Sequence, residues 1–332
     1  MKKIALILTG GTISMKADKE LKAVIPALSD EEIISTISGI NKVANIEAIR
    51  FTNMPGPHIT PKKMFELSQL IDDLLMKEEY SGAVITHGTD TLEETSYLLD
   101  LCLQTYKPVV LTGSMKNSSE LGYDGPANLS AAICTAIDKD SYEKGVLVVM
   151  NDHIYAANEV IKTHTLSLDT FKSLDKGPLG IVDQDQVIYY RCGNKQRKIS
   201  VNDIEEKVGL IKCYSGMESG YIDYLMGCHY KGIVVEAMGR GNVPPKMIEG
   251  IKKAINHNIP VVIVSICPSG RVLGTYGYEG GGNHLRQLGV ILGGDLSGQK
   301  ARIKLMTILG AGINDIDEIK EIFEDSFYKT YH

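Results

Sequence analysis

The chain lacks the sequence devices that staple small secreted domains or hold metals and nucleotides. Its six cysteines (Cys102, Cys134, Cys192, Cys213, Cys228 and Cys267) form no C-x-x-C pair and no zinc-like spacing, which argues against a disulfide framework and against a metal site. Cys102, on a helix face, and Cys267, at a strand end, read as ordinary core thiols. No apolar run approaches the ~20 residues that span a bilayer. The five apolar residues after Met1-Lys2-Lys3 are too few for a signal peptide and run into Thr9-Gly10-Gly11-Thr12 without a small-residue cleavage site. A cytoplasmic protein with no membrane partner is expected. A net charge of −6 without any basic cluster argues against nucleic acid. Nucleotide motifs are missing too. Gly10-Gly11 lacks a third glycine at dinucleotide spacing, no G-x-x-x-x-G-K-[ST] occurs, and Gly280-Gly281-Gly282 does not sit between a strand and a helix. No cofactor is expected.

What is present is an alternation of strand and helix patterns. With 332 residues and 43% apolar content, two domains are the better expectation. Apolar runs at Ile4 to Leu8, Gly82 to Ile85, Pro108 to Leu111 and Val146 to Met150 read as buried strands. Each ends in polar residues: Thr9-Gly10-Gly11-Thr12, Thr86-His87-Gly88-Thr89-Asp90, Thr112-Gly113-Ser114 and Asn151-Asp152-His153. After the second run, Leu92, Thr95, Leu98, Leu99 and Cys102 recur at helical spacing. Open α/β sheets bind ligands at the carboxyl ends of their strands. The pattern predicts an α/β fold with a larger, doubly wound parallel-sheet domain over 1–186, a linker over 187–207 and a smaller α/β domain over 208–332. In the latter, Val208 to Lys212, Gly232 to Val235 and Pro260 to Ile266 read as strands and Ile313 to Phe327 as an amphipathic helix.

The turn residues permit hydroxyl nucleophile chemistry, which needs a base. Thr12 and Thr89 are the candidate hydroxyls, His87 and Lys162 the candidate bases. His87 stands where a strand is ending, and isolated buried histidines are usually satisfied polar groups. A lysine base must lose its proton; burial favours that and a neighbouring Asp90 carboxylate opposes it. Each residue has an ordinary alternative. Asp90 with Glu93 resembles a helix cap with a first-turn acid, Thr12 could satisfy its own turn, and Lys162 could be a solvated surface lysine. Their joint appearance favours a site.

Taken together these segments resemble the bacterial-type L-asparaginase family, the asparaginase/glutaminase family. Thr9-Gly10-Gly11-Thr12-Ile13 resembles its first signature and Gly82 to Leu92 its second. Lys162-Thr163-His164-Thr165, Asp169-Thr170-Phe171-Lys172-Ser173, Gly177-Pro178-Leu179-Gly180, Gly239-Arg240-Gly241-Asn242 and Gln299-Lys300-Ala301-Arg302 also match. The resemblance spans essentially the whole chain. It implies hydrolysis of the side-chain amide of L-asparagine through an acyl-enzyme, with Thr12 as nucleophile and Thr89, Asp90 and Lys162 as an activating group. Asp90 would also hold the substrate α-amino group. Substrate contacts are implied at Gly11, Gly56, His58, Gly88, Ser114 and Asn242, the last reaching a neighbour's site in a homodimer or homotetramer. Glutamine is the neighbouring substrate. The related tRNA-amidation subunit normally carries an additional N-terminal domain, for which a first strand at Lys3 leaves no room. A binding protein that kept the fold is the alternative of a different class. Two departures bear on the substrate. No Tyr occurs between Met15 and Ile40, where many members carry one in a lid, and Gly56-Pro57 replaces the hydroxyl-bearing pair that grips the substrate α-carboxylate, leaving His58 as a donor.

Overall fold

The computed structural model describes residues 1–18, 23–26, 29–37, 39 and 43–324. They divide into two compact units, Met1–Lys198 and Ile199–His332. In the first, the order is β1 (Lys3–Gly10), β2 (Met15–Asp18), β3 (Ala23–Pro26), α1 (Asp30–Ser35), β4 (Asn45–Met54), α2 (Pro61–Leu75), β5 (Tyr80–Thr86), α3 (Leu92–Cys102), β6 (Val109–Thr112), α4 (Gly125–Ile137), β7 (Val146–Met150), β8 (His153–Ala156), β9 (Ile161–Lys162), β10 (Phe171–Lys172), β11 (Gly180–Asp183) and β12 (Gln186–Tyr189).

Eight of these strands form one sheet in the order β12-β11-β8-β7-β6-β5-β1-β4. The pairs from β4 to β7 are parallel, and those from β7 to β12 antiparallel. The central strands are apolar runs because both faces are covered. Ile4, Leu6 and Leu8 face one core with Leu129, Ile133 and Ala136 of α4. Ala5 and Ile7 face the other with Leu67, Ile71 and Leu74 of α2 and Leu92 and Leu99 of α3. The period of two along β1 thus meets two helical layers, one on each side. Helix α2 starts where it does because the Thr60 side chain accepts the Lys63 N–H and Pro61 occupies the first turn.

Counted in chain order, the five parallel strands lie 2-1-3-4-5, so the topological switch point falls between β1 and β5. Strand β7 behaves differently from the other three apolar runs. Asn151 and Asp152 have φ of 50° and 61° and close a two-residue hairpin to β8, as tight hairpin turns require. Its polar end is therefore a turn between antiparallel strands and starts no crossover. The segment expected to be linker also begins inside the sheet, because residues 187–189 pair with β11.

The second unit is built on β13 (Val208–Lys212), α5 (Gly220–Gly227), β14 (Gly232–Ala237), α6 (Ile248–Asn256), β15 (Val261–Ser265), α7 (Gly282–Gln287), β16 (Ile291–Leu292), α8 (Gly298–Gly310) and α9 (Ile316–Glu324). Its four strands pair in parallel in sequence order. Helix α9 takes the place of the amphipathic segment expected over 313–327, of which residues 325–327 lie outside the described residues. Cys102 is buried as expected, whereas Cys267 is exposed, because β15 ends at Ser265 and the chain leaves the core there. No helix among the described residues is long and apolar enough to cross a membrane.

Candidate active site

The residues that close the switch point are glycines. A Cβ on Gly11 would fall 2.5 Å from the Gly88 nitrogen, and one on Gly88 would fall 2.6 Å from the Gly56 Cα. Gly113 approaches from the next strand, where a Cβ would lie 2.5 Å from the His87 carbonyl oxygen and 3.4 Å from Thr89 Cγ2. Loops leaving β1, β4, β5 and β6 thus touch backbone to backbone. Gly11 also has φ of 80°, a conformation in which any side chain is strained. This contact sets Thr12 and Thr89, each one residue further on, on two touching loops.

Thr89 is 6% exposed, and its Oγ1 lies 2.9 Å from Lys162 Nζ. The same ammonium lies 2.7 Å from Asp90 Oδ1. Lys162 arrives from β9, more than seventy residues away in sequence, and its backbone N–H donates to Glu93 Oε2 at 2.6 Å. Glu93 belongs to the first turn of α3, so the helix that starts beside Asp90 also anchors the strand bearing the lysine. The N-cap position of α3 is Thr91, without a side-chain cap, and Thr91 Oγ1 instead donates to the Gly56 carbonyl at 2.8 Å. The capping reading of Asp90 therefore gives way. Its carboxylate pairs with Lys162 beside a helix N-terminus, where the backbone dipoles favour negative charge. Asp90 Oδ2 accepts no hydrogen bond from any described residue. The role of Glu93 was not legible in the sequence, since a first-turn acid needs no further purpose.

Thr12 opens a short 3-10 turn, Thr12–Ser14. The turn is held from beneath by Ser14 Oγ donating to the Gly11 carbonyl at 2.9 Å and Tyr123 Oη donating to the Ile13 carbonyl at 2.7 Å. Burial pushes the Tyr123 phenol up, keeping it a donor. Thr12 is half-buried, and its own hydroxyl bonds to no described residue. The Gly11 N–H is spent on the Met54 carbonyl. The Thr12 and Thr89 N–H groups have no acceptor among the described residues.

His87 is fully buried and structural. Its Nδ1 lies 2.8 Å from the Gly88 carbonyl oxygen, which can only accept, so Nδ1 carries the proton and Nε2 accepts from Thr95 Oγ1 at 2.9 Å. Desolvation pulls its pKa down to about 4. Both ring nitrogens are occupied and none is left to act as base. Thr9, Thr86 and Thr112 are likewise buried in the sheet, Thr9 donating to the Thr86 carbonyl and Thr112 to the Val149 carbonyl.

The remaining expected contacts divide. Ser114 is fully buried and its Oγ has no partner among the described residues. The loop carrying it is pinned by Asn128 donating to the Gly113 carbonyl and Asp124 accepting the Met115 and Lys116 N–H groups. Gly56 is buried in the glycine contact, and His58, on the same short turn, is exposed. Asn242 lies in the second unit, where its Oδ1 accepts the Gly282 N–H at 3.4 Å.

Comparison with known proteins gives one consistent likeness. The profile described as Asparaginase, N-terminal matches residues 3–194, and that described as Glutaminase/Asparaginase C-terminal domain matches 207–323. The L-asparaginase of Bacillus licheniformis is 37% identical over 320 residues, covering 95% of this chain and 98% of that protein. L-asparaginase 2 of Escherichia coli is 32% identical over 328 residues, covering 96% of this chain and 92% of that protein. Among solved structures, a probable cytoplasmic L-asparaginase from Campylobacter jejuni superposes with a TM-score of 0.87 at 32% identity, covering 97% of this chain and 99% of that one.

Two outcomes follow from this geometry. Gly88→Ala drives a Cβ into the Gly56 backbone, so it should cost about 1–3 kcal/mol of stability and most of the turnover, read from the urea midpoint and from kcat. Because the His87 pKa is depressed in the folded state, the unfolded chain binds the extra proton between its ordinary value and about 4. Stability is complete above pH ~6.5 and falls as pH drops through that window, by up to roughly 3 kcal/mol. A urea midpoint that declines less steeply with acidification in His87→Gln than in the wild type supports this; equal slopes contradict it.

Proposed function

The chain belongs to the asparaginase family, and from that membership and its site we propose that it hydrolyses the side-chain amide of L-asparagine to L-aspartate and ammonia. The observation that carries the reading is Lys162 Nζ held between Thr89 Oγ1 and Asp90 Oδ1 at 2.9 and 2.7 Å, on a loop whose backbone touches the loop bearing Thr12.

In this account Thr12 Oγ1 attacks the amide carbonyl carbon. Its proton passes to the departing nitrogen, the C–N bond breaks, and ammonia leaves behind a Thr12 ester. Water then attacks the ester, releases L-aspartate and restores the Thr12 hydroxyl. The Thr89–Lys162–Asp90 group activates the attacking hydroxyl or water. Thr89 touches the lysine nitrogen directly, so a neutral Lys162 would draw the Thr89 proton and Asp90 would hold the lysine after it. The unpaired Thr12 and Thr89 N–H groups are the donors for the tetrahedral oxyanion, each worth about 2.7–4 kcal/mol by analogy with other oxyanion holes. The free Asp90 Oδ2 suits the substrate ammonium. His58, exposed beside Gly56, is the donor on the turn where the α-carboxylate is expected, and Ser114 Oγ is a buried hydroxyl available to the same ligand. Glutamine is the second substrate to examine, since one methylene is worth only about 10–200-fold in a pocket. A cytoplasmic location accords with the probable cytoplasmic L-asparaginase of Campylobacter jejuni, and a homodimer or homotetramer, with Asn242 completing a neighbouring site, is the assembly the family resemblance implies.

Ammonia release from L-asparagine should vanish in Thr12→Ala and in Thr89→Val while the circular dichroism spectrum is unchanged. Wild-type activity in either variant refutes the assigned roles. For His58→Ala, KM should rise more than kcat falls, as expected when binding common to ground and transition states is lost. An unchanged KM makes His58 a surface residue.

A further inference from the structure

A cavity lined in part by charged residues opens at the far end of α3. The helix rises about 1.5 Å per residue, so Asp100, in its last turn, stands a helix length away from Thr89 and Asp90. The cavity there measures about 270 Å³, and Asp100, Tyr106, Glu143, Lys144, Asn158 and Lys198 are among its lining residues. None of them has a part in amide hydrolysis.

Asp100 is 5% exposed and only half satisfied. Its Oδ1 accepts the Val146 N–H at 3.0 Å and the Lys198 ammonium at 3.2 Å. Its Oδ2 accepts nothing from any described residue. That oxygen is not among the sealed, unpartnered atoms of the described residues, so it keeps an acceptor position that water or a ligand can reach. The surrounding backbone is shaped to admit the group. Gly145 has φ of 75°, and a Cβ there would fall 2.6 Å from Asp100 Oδ1. The lining bears both signs of charge. Lys198 offsets Asp100, Lys195 pairs with Glu143 at 3.3 Å, and Lys144 lies over the Tyr189 ring at 4.4 Å from its centroid. With two carboxylates and three ammonium groups around it, the cavity suits a ligand carrying both charges better than a lone cation or anion.

We propose that this cavity is a second binding site for a small zwitterion of amino-acid size, its ammonium on Asp100 Oδ2 and its carboxylate toward Lys144 and Lys195. Asn158 and Tyr106 supply polar and flat surface for the stem between them.

Isothermal titration of the full chain with 4-aminobutyrate, butylamine and butyrate tests this. The wild type and Thr89→Val should bind 4-aminobutyrate alike. Asp100→Asn, which keeps an acceptor for the Val146 N–H, should weaken binding by roughly tenfold or more, the usual effect of losing a charged hydrogen-bond partner. Butyrate alone should not bind. Asn158→Trp, which places a bulky ring in the cavity and leaves Asp100 in place, should abolish binding and decides the matter if Asp100→Asn does not fold. Binding that survives both cavity variants and disappears in Thr89→Val assigns the ligand to the catalytic site and overturns the proposal. Butyrate binding as well as 4-aminobutyrate overturns the ammonium assignment. No heat from 4-aminobutyrate or butylamine on folded wild type overturns it outright.

Discussion

Everything at the candidate active site depends on backbones approaching more closely than side chains allow. Gly11, Gly56 and Gly88 meet at the switch point between β1 and β5, with Gly113 against the His87 carbonyl. Parallel strands emerge about 4.8 Å apart, and their loops would ordinarily diverge as side chains crowd them. Removing those side chains lets the loops converge, and the hydroxyls that follow are delivered to one place. The remaining braces serve the same contact: Thr91 to the Gly56 carbonyl, Ser14 to the Gly11 carbonyl, Tyr123 to the Ile13 carbonyl.

Electrostatics at the site are arranged around one lysine. Lys162 is mostly buried and sits between an almost fully buried hydroxyl and a carboxylate that is 60% exposed along its side chain. Its backbone is tied to Glu93, so the ammonium is positioned by the same helix whose N-terminus lies beside Asp90. The imidazole next to them is kept out of the chemistry by desolvation and by two hydrogen bonds. A neutral histidine in the strand end makes the turn rigid without adding a competing charge.

The four central strands were legible because strands covered on both faces are continuous apolar runs bounded by turn residues. Thr89 and Asp90 were legible as polar groups at such a strand end and Lys162 as a candidate base, but their grouping into one activating set rests on family resemblance, since nothing local marks a lysine seventy residues downstream as their partner. The antiparallel extension β8-β11-β12 was not legible: its strands are four residues each, and one of them, β12, runs into a stretch whose polarity resembles a linker. Asn151-Asp152 was read with the other polar strand ends, although the pair is a hairpin turn. The exposure of Cys267 turned on one strand ending at Ser265, one residue earlier than expected. The convergence of the three glycines is a tertiary fact with no local signature, since each alone reads as a turn.

The central claim is that Thr12, on a loop held against the loop of Thr89, becomes acylated. Intact-mass and peptide-mass spectrometry of enzyme acid-quenched during turnover of L-asparagine tests it most directly. The account predicts an aspartyl adduct on the peptide containing Thr12. An adduct on Thr89 or elsewhere, or turnover that continues in a Thr12→Ala chain, would contradict it.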